Sequence, residues 1–505
     1  MARSIQVDGA TLTIDRVVAV ARGGVPARLA TSTRAAMRRS REWVECAVRD
    51  HAVVYGVTTG FGAFQNVSVR PERLRELQRN LILSHCAGVG APFAEEIVRA
   101  MLLLRANALA RGHSGIRIST VERLLDMLNR GVHPVVPEQG SVGSSGDLAP
   151  LSHAAAVLIG EGEAFYRGKR MTGKAAMRAA GIEPVVLEAK EGLALNNGTQ
   201  AMTAVGALAV YDARRLADIA DIAMALSLEA VKGKSTPFAE KVLATRPHAG
   251  QARAARNIRA MIRNSRLVDR VDHDTRSKVQ DSYSIRCAPQ VHGASRDAIE
   301  YVAGVVETEV NSTTDNPLIF PESNEVFSVG NFHGQPVALA MDFLALAVAE
   351  LGNISERRTA KLMDRQHSCG LPAFLAVNGG LESGLMIEQY AAAALVSENK
   401  VLIHPASGDS IPTSANQEDH VSMGTIAARQ ARQVIQNVER VLAIELHGAI
   451  EALGYRTERP GDGTRRAYKL LREVVPPLRG DRPLSGDIEA IVTFMRGKEL
   501  TDILN

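Results

Sequence analysis

The chain has 505 residues, 46% apolar but only 4% aromatic, and 59 Lys plus Arg against 55 Asp plus Glu give it a net charge of +4. Such a length requires a large core or two closely joined domains, with an interior of Ala, Leu and Val rather than rings. The charge is spread without a basic block, which argues against nucleic acid as a partner, and four scattered cysteines (Cys46, Cys86, Cys287, Cys369) without CxxC spacing argue against a structural zinc site and suit a reducing cytoplasm.

Residues 1–10 hold no apolar run of signal-peptide length, and the run 17–21 closes at Arg22. Short strands are predicted at 5–7 with 11–14, and at 167–171. Helical spacing of apolar residues marks 71–86, 93–111 (Ile97, Met101, Leu104, Ala108) and 118–130, then 336–368 and 381–400. A long helix is predicted over 417–453, with Val434, Val438, Val441 and Leu442 on one face. Residues 456–466 read as an exposed loop before a short helical tail. No stretch reaches membrane-spanning length, since even 343–351 is cut by Glu350, so a soluble, cytoplasmic protein with no membrane partner is expected. The pattern predicts an all-α fold: a long-helix bundle with a loop-rich N-terminal domain and minor short strands. A soft boundary near 200 separates an N-terminal domain (1–200) from the bundle and C-terminal helical tail (201–505).

One segment carries chemistry. Residues 140–151 read Gly-Ser-Val-Gly-Ser-Ser-Gly-Asp-Leu-Ala-Pro-Leu, a tight glycine-rich turn ahead of a helix, with Asp147 suited to the N-cap and Pro150 to the first turn. If the Gly146 amide nitrogen attacks the Ser144 carbonyl, a five-membered ring closes. Loss of the Ser145 hydroxyl then leaves an exocyclic methylidene, giving 3,5-dihydro-5-methylidene-imidazol-4-one from Ser144, Ser145 and Gly146, with no external cofactor. An ordinary Gly/Ser turn explains most such stretches. A phosphate-binding loop is disfavoured because no Gly-Lys-Ser/Thr follows.

This loop closely resembles the cofactor loop of the aromatic amino-acid ammonia-lyases, with Ser144 where the family usually has Ala. The resemblance runs in order from about residue 55 to about 450. It includes Tyr55-Gly56-Val57-Thr58-Thr59-Gly60-Phe61-Gly62, Asn197-Gly198-Thr199-Gln200, Gln280-Asp281 with Tyr283-Ser284-Ile285-Arg286, and Asp315-Asn316-Pro317. It continues through Gly330-Asn331-Phe332-His333, Ser355-Glu356-Arg357-Arg358 and Gln417-Glu418-Asp419-His420. The resemblance implies Tyr55 as general base, which requires a phenol pKa pulled down by nearby positive charge. It also implies Asn197 and Tyr283 around the electrophile and substrate amine, Arg286 as carboxylate anchor, and Gln280 and Phe332 lining the pocket. It implies no metal, and a homotetramer with active sites shared between subunits.

Ser84-His85 and Glu418 resemble the histidine-specific members, where tyrosine- and phenylalanine-specific enzymes tend to carry His-Leu or Phe-Leu. A carboxylate such as Glu418 can accept a hydrogen bond from an imidazole N–H, whereas a phenyl ring leaves it unpaired. The expected reaction on this amino-acid substrate is elimination of ammonia from L-histidine to give trans-urocanate. His85 also reads as a satisfied structural histidine, and Glu418 as a first-turn residue of the following helix. Asn196 stands where the family normally has an apolar residue, Ser282 replaces a proline, and Ala288 stands where glutamine is common. With Gly334-Gln335, these departures keep open a lyase or 2,3-aminomutase acting on tyrosine or phenylalanine. Ser144 leaves a third reading, a helical scaffold whose ring never closes.

Overall fold

A computed structural model describes residues 4–271, 275 and 278–504. Among them are eighteen α-helices and nine strands of three or four residues, in four sheets of at most three strands each. The fold is all-α with minor strands, as its sequence implies. Two compact units divide it: Met1–Tyr211, Val302–Asp342 and Pro405–Arg429 form the first, and Asp212–Tyr301, Phe343–His404 and Gln430–Asn505 the second.

The first unit is built around helix Glu95–Ala110, buried on all sides from Ile97 to Ala110. Glu95 and Glu96 in its first turn complement the helix dipole. It packs against helices Ile14–Ala21 and Ile118–Arg130, the latter closed by Gly131 in the left-handed region at φ 75°. Helices Leu74–His85, Leu148–Leu158 and Glu191–Asn196 pack on one another, bringing together the ends that carry His85, the Gly/Ser loop and Asn197. Val44, Val57, Leu74 and Ile319 form a buried cluster with Trp43 and Leu77 against it.

Local chemistry overrides the predicted strand pairing in two places. Ile5–Val7 pairs in parallel with Ala27–Leu29, not with 11–14, because Thr13 caps helix Ile14–Ala21 by accepting from the Arg16 amide at 3.3 Å. Residues 167–171 are not one strand. Arg167 and Gly168, both at positive φ, turn a hairpin between Glu163–Tyr166 and Lys169–Thr172.

In the second unit, helix Asp462–Val474 packs against Ala249–Met261 and Ser485–Met495. It starts inside the stretch predicted as an exposed loop, so that loop ends at Gly461. A buried polar chain ties the second-unit parts of four long helices: Gln200–Ala230, Ala288–Glu309, Gln335–Met363 and Gly424–Gly454. Asp221 accepts from His292 Nδ1 at 2.7 Å and from Arg296 Nη2 at 2.5 Å. Arg358 donates to His292 Nε2 at 3.3 Å and clamps Glu445 at 2.5 and 2.7 Å, and Ser227 adds a bond to Glu445 at 2.8 Å. Burial lowers the His292 pKa, consistent with a neutral ring that donates through Nδ1 and accepts at Nε2.

Two long-helix expectations need correction. The last of the four helices starts at Gly424 rather than 417. Thr413 and Glu418 instead exchange backbone hydrogen bonds at 2.9 and 3.3 Å in the preceding loop, so Glu418 is not a first-turn residue. Helix Gln335–Met363 is long and apolar enough to cross a membrane, although Glu350 interrupts its apolar run; 67% of its most apolar window is buried inside the protein, as in a core helix.

Candidate active site

The Gly/Ser loop is folded tightly on itself. Gly143 and Gly146 sit at φ 75° and 72° and bridge each other, and Gly146 also bridges Gly198. A Cβ on Gly146 would lie 2.2 Å from the Gly198 carbonyl oxygen, so only glycine fits at this position. The Asp147 amide donates to that same oxygen at 2.7 Å. Asp147 precedes helix Leu148–Leu158 as predicted, with Pro150 in the first turn, but its side chain does not cap that helix. It accepts from Ser141 Oγ and the Met202 amide at 2.9 Å each, and from Thr425 Oγ1. Burial pushes this carboxyl up, against those bonds.

Ser145 faces a cavity of about 760 Å³ together with Tyr55, His85 and Glu418. Its wall is largely apolar, including Phe61, Phe64 and Leu148, and no Lys or Arg is among the described residues lining it. Loop 60–64 meets loop 413–418 here: the Ala63 amide donates to Ser414 Oγ at 3.3 Å, and Glu418 accepts from Thr413 Oγ1 at 3.1 Å. The Ser84 hydroxyl gives its proton to the Leu81 carbonyl at 3.1 Å and meets His85 Nδ1 at 3.1 Å. The His85 hydrogen is therefore assigned to Nδ1, leaving Nε2 as an acceptor. Burial holds the His85 pKa below its ordinary value, opposed by the Leu81 backbone and Glu418.

The expected depression of the Tyr55 phenol is not found in this unit. Burial raises its pKa and the Glu418 carboxylate adds to the rise; only the Gly62 amide, 3.3 Å from the phenol oxygen, opposes them. With no cation among the described lining residues, the Gly62 amide is left alone in favouring the phenolate.

Of the sequence-predicted residues, Tyr55, His85, Ser145 and Glu418 share the cavity. Ser144 and Gly146 are buried beside Ser145. Asn197 is buried too, its Nδ2 donating to the Asn316 carbonyl at 3.0 Å while its Oδ1 has no partner among the described residues. Phe332 is half-buried in the same unit but outside the lining. Gln280, Tyr283 and Arg286 belong to the second unit. There Tyr283 is 70% exposed, and the Arg286 guanidinium sits 4.7 Å from the centre of its ring. Asn196 is fully buried, donates to Ser152 Oγ at 3.0 Å, and does not line the cavity, so its polarity bears on helix packing.

Sequence reading missed Arg105 and Lys190 behind the loop and gave Asp315 no role beyond its motif. Arg105, Lys190 and Asp315 are buried there; Lys190 Nζ bonds both Asp315 oxygens at 3.1 and 3.0 Å, and Arg105 Nη1 donates to the Asn197 carbonyl at 3.0 Å. The available signal was an arginine set within the apolar run 97–110.

A sequence profile described as aromatic amino acid lyase matches residues 12–473. A histidine ammonia-lyase of Alkaliphilus oremlandii is 54% identical over 99% of this chain and 98% of its own. That of Symbiobacterium thermophilum is 57% identical over 97% of this chain and 96% of its own. Among solved structures, histidine ammonia-lyase from Trypanosoma cruzi superposes with a TM-score of 0.92 at 45% identity, covering 99% of this chain and 95% of that one. Tyrosine aminomutase from Streptomyces globisporus gives 0.93 at 40% identity, with coverage of 99% and 98%.

Proposed function

Because the chain belongs to the aromatic amino acid lyase family, we propose that it eliminates ammonia from L-histidine, giving trans-urocanate, at the cavity shared by Tyr55, His85, Ser145 and Glu418. It is a carbon–nitrogen lyase. The observation that carries the substrate assignment is the pairing of His85 and Glu418 in one apolar cavity. Glu418 presents an acceptor for the imidazole N–H and His85 a second polar group on the same wall, and a phenyl ring answers neither.

Ser144, Ser145 and Gly146 fit the family's methylidene-imidazolone. The glycine-only cradle at Gly146 and the Ser145 side chain facing the cavity support this assignment. That group supplies an electrophile that turns the substrate amine into a better leaving group. The chain's own residues do the rest. Tyr55 takes the β-proton at its phenolate oxygen, and the apolar wall excludes water from that transfer. Glu418 and His85 orient the imidazole, and Asn197 precedes Gly198, which bridges Gly146.

The described residues lining the cavity offer no cation for the substrate carboxylate, and Arg286 has the fork geometry to hold one. A homotetramer in which Arg286, Tyr283 and Gln280 serve a site beside Tyr55 and Ser145 of another subunit meets that need. The exposed Tyr283 supports this reading.

The test is ammonia release from L-histidine, L-tyrosine and L-phenylalanine in parallel, with near-ultraviolet detection of the conjugated product. Release from histidine alone is expected. Release chiefly from tyrosine or phenylalanine would keep the chemistry and overturn the roles of His85 and Glu418.

A further inference from the structure

Gly198 is gripped from two sides. On one, its carbonyl accepts from the Asp147 amide at 2.7 Å and presses on Gly146, leaving no room there for a Cβ. On the other, a Cβ on Gly198 itself would lie 2.3 Å from Arg105 Nη1, 2.5 Å from Gln200 Oε1 and 2.5 Å from the Thr314 carbonyl. Arg105 thus sits one glycine away from the tripeptide.

The bonding of Arg105 is unusual for so buried a group. Its Nη1 reaches three oxygens, the Asn197 carbonyl at 3.0 Å, Gln200 Oε1 at 2.7 Å and the Thr314 carbonyl at 3.2 Å. Nε and Nη2 have no partner among the described residues. The neighbouring carboxylate, Asp315, is engaged by Lys190, which also reaches the Asn316 carbonyl at 3.4 Å. Burial brings the Arg105 pKa down to about 10, so the group is cationic at neutral pH yet bonded only to neutral oxygens. Arg99, six residues earlier on the same helix, is the contrast. It spends Nε, Nη1 and Nη2 on the carbonyls of Val20, Ala21 and Leu128, which is the pattern of an arginine that serves packing alone.

We propose that Arg105 is a positioning residue for formation of the electrophile, holding Asn197–Gly198 against Gly146–Asp147 so that the Gly146 amide is pressed onto the Ser144 carbonyl. The inference rests on the reading that residues 144–146 form the ring. In that closure the Gly146 nitrogen bonds to the Ser144 carbonyl carbon. The carbonyl oxygen leaves as water with the amide protons of Gly146 and Ser145. The Ser145 hydroxyl then leaves as a second water with the Ser145 Cα proton. No oxidant or co-reactant is required. Nothing in this sequence needs Arg105 to touch a reacting atom; its task is to fix the distance across which the first bond forms, where small misplacements are costly.

The test follows maturation rather than activity. Synthesis of the full-length chain is stopped, and intact-mass spectrometry tracks the fraction of molecules lighter by two waters. R105M is expected to slow that loss about tenfold or more, with helical circular dichroism retained. R105K, with charge but without the guanidinium's planar fork, should fall between R105M and the parent. R99M should lower the melting temperature without slowing maturation. R105K maturing at the parental rate overturns the proposal, whether or not R105M folds. Equal slowing in R99M overturns it as well, because generic destabilisation would then explain the effect. A parent chain that never loses two waters overturns the assignment of the electrophile instead.

Discussion

Tyr55 and Glu418 oppose each other chemically although they share a cavity. The carboxylate raises the phenol pKa, and burial raises it further. Both effects disfavour the charged form, so the phenolate fraction grows as pH rises from neutrality, and kcat/KM is expected to climb with it toward the alkaline side. A flat profile there would remove Tyr55 as the base. Tyr55→Phe should lower kcat by about 10²–10⁴-fold while leaving the two-water mass loss intact, which separates proton transfer from ring formation. Glu418→Ala relieves the phenol and removes the imidazole's partner. The expected result is a KM for L-histidine raised by about tenfold or more, with a smaller change for phenylalanine, read from parallel steady-state assays. At this scale the sequence was informative where chemistry is written in residue type and order, as in Ser144-Ser145-Gly146 and Ser84-His85. It was silent on the roles of Arg105 and Lys190, whose partners lie far away in the chain, although the apolar run around Arg105 hints at its burial.

Ile118–Arg130, with one apolar face, matches its predicted bounds, and Glu95–Ala110, buried from Ile97 onward, lies within one or two residues of its own because Ile97, Met101, Leu104 and Ala108 still recur at helical spacing. Gln200–Ala230 and Ala288–Glu309 were not predicted. The former is buried along nearly its whole length, and a helix surrounded by protein needs no polar face and loses the 3.6-residue signature. Polar side chains inside such helices then fix how they meet. Arg358 is fully buried and clamps Glu445. Arg358→Met leaves that carboxylate without its cation and is expected to cost about 3–5 kcal/mol in denaturant unfolding. Adding Glu445→Leu should recover much of the loss, and a strictly additive double variant would show that the two groups do not act as a pair. The late start of helix Gly424–Gly454 follows from loop pairing between Thr413 and Glu418, which hydrophobic spacing does not record.

The two units divide the proposed machinery between them: proton transfer and ring formation in one, the carboxylate anchor in the other. The second unit also leaves Tyr301, Phe343, Leu346, Ile387 and Tyr390 exposed, apolar surface of the kind subunits cover. Sharing of sites between subunits has a direct readout. Tyr55→Phe and Arg286→Met, each nearly inactive alone, should regain about a quarter of parental activity when co-expressed in mixed oligomers, because random pairing reunites intact partners at that frequency. No recovery above the sum of the separate variants would place both residues within one subunit's site. The helical class and the family's motif order could be read without coordinates, but the interleaving of three chain segments into each unit could not, since it depends on contacts hundreds of residues apart.

The grip on Gly198 also sets a timetable. Arg105 and Thr314 are separated by 209 positions, and both must be present around Gly198 before the loop is fully braced. A chain still emerging during synthesis carries Ser145 only as an inert hydroxyl until residue 314 has been added and the long-range contacts have closed. On the proposed reading of residues 144–146, the reactive alkene is born inside a finished cavity, and a nascent chain does not display it to passing thiols or amines.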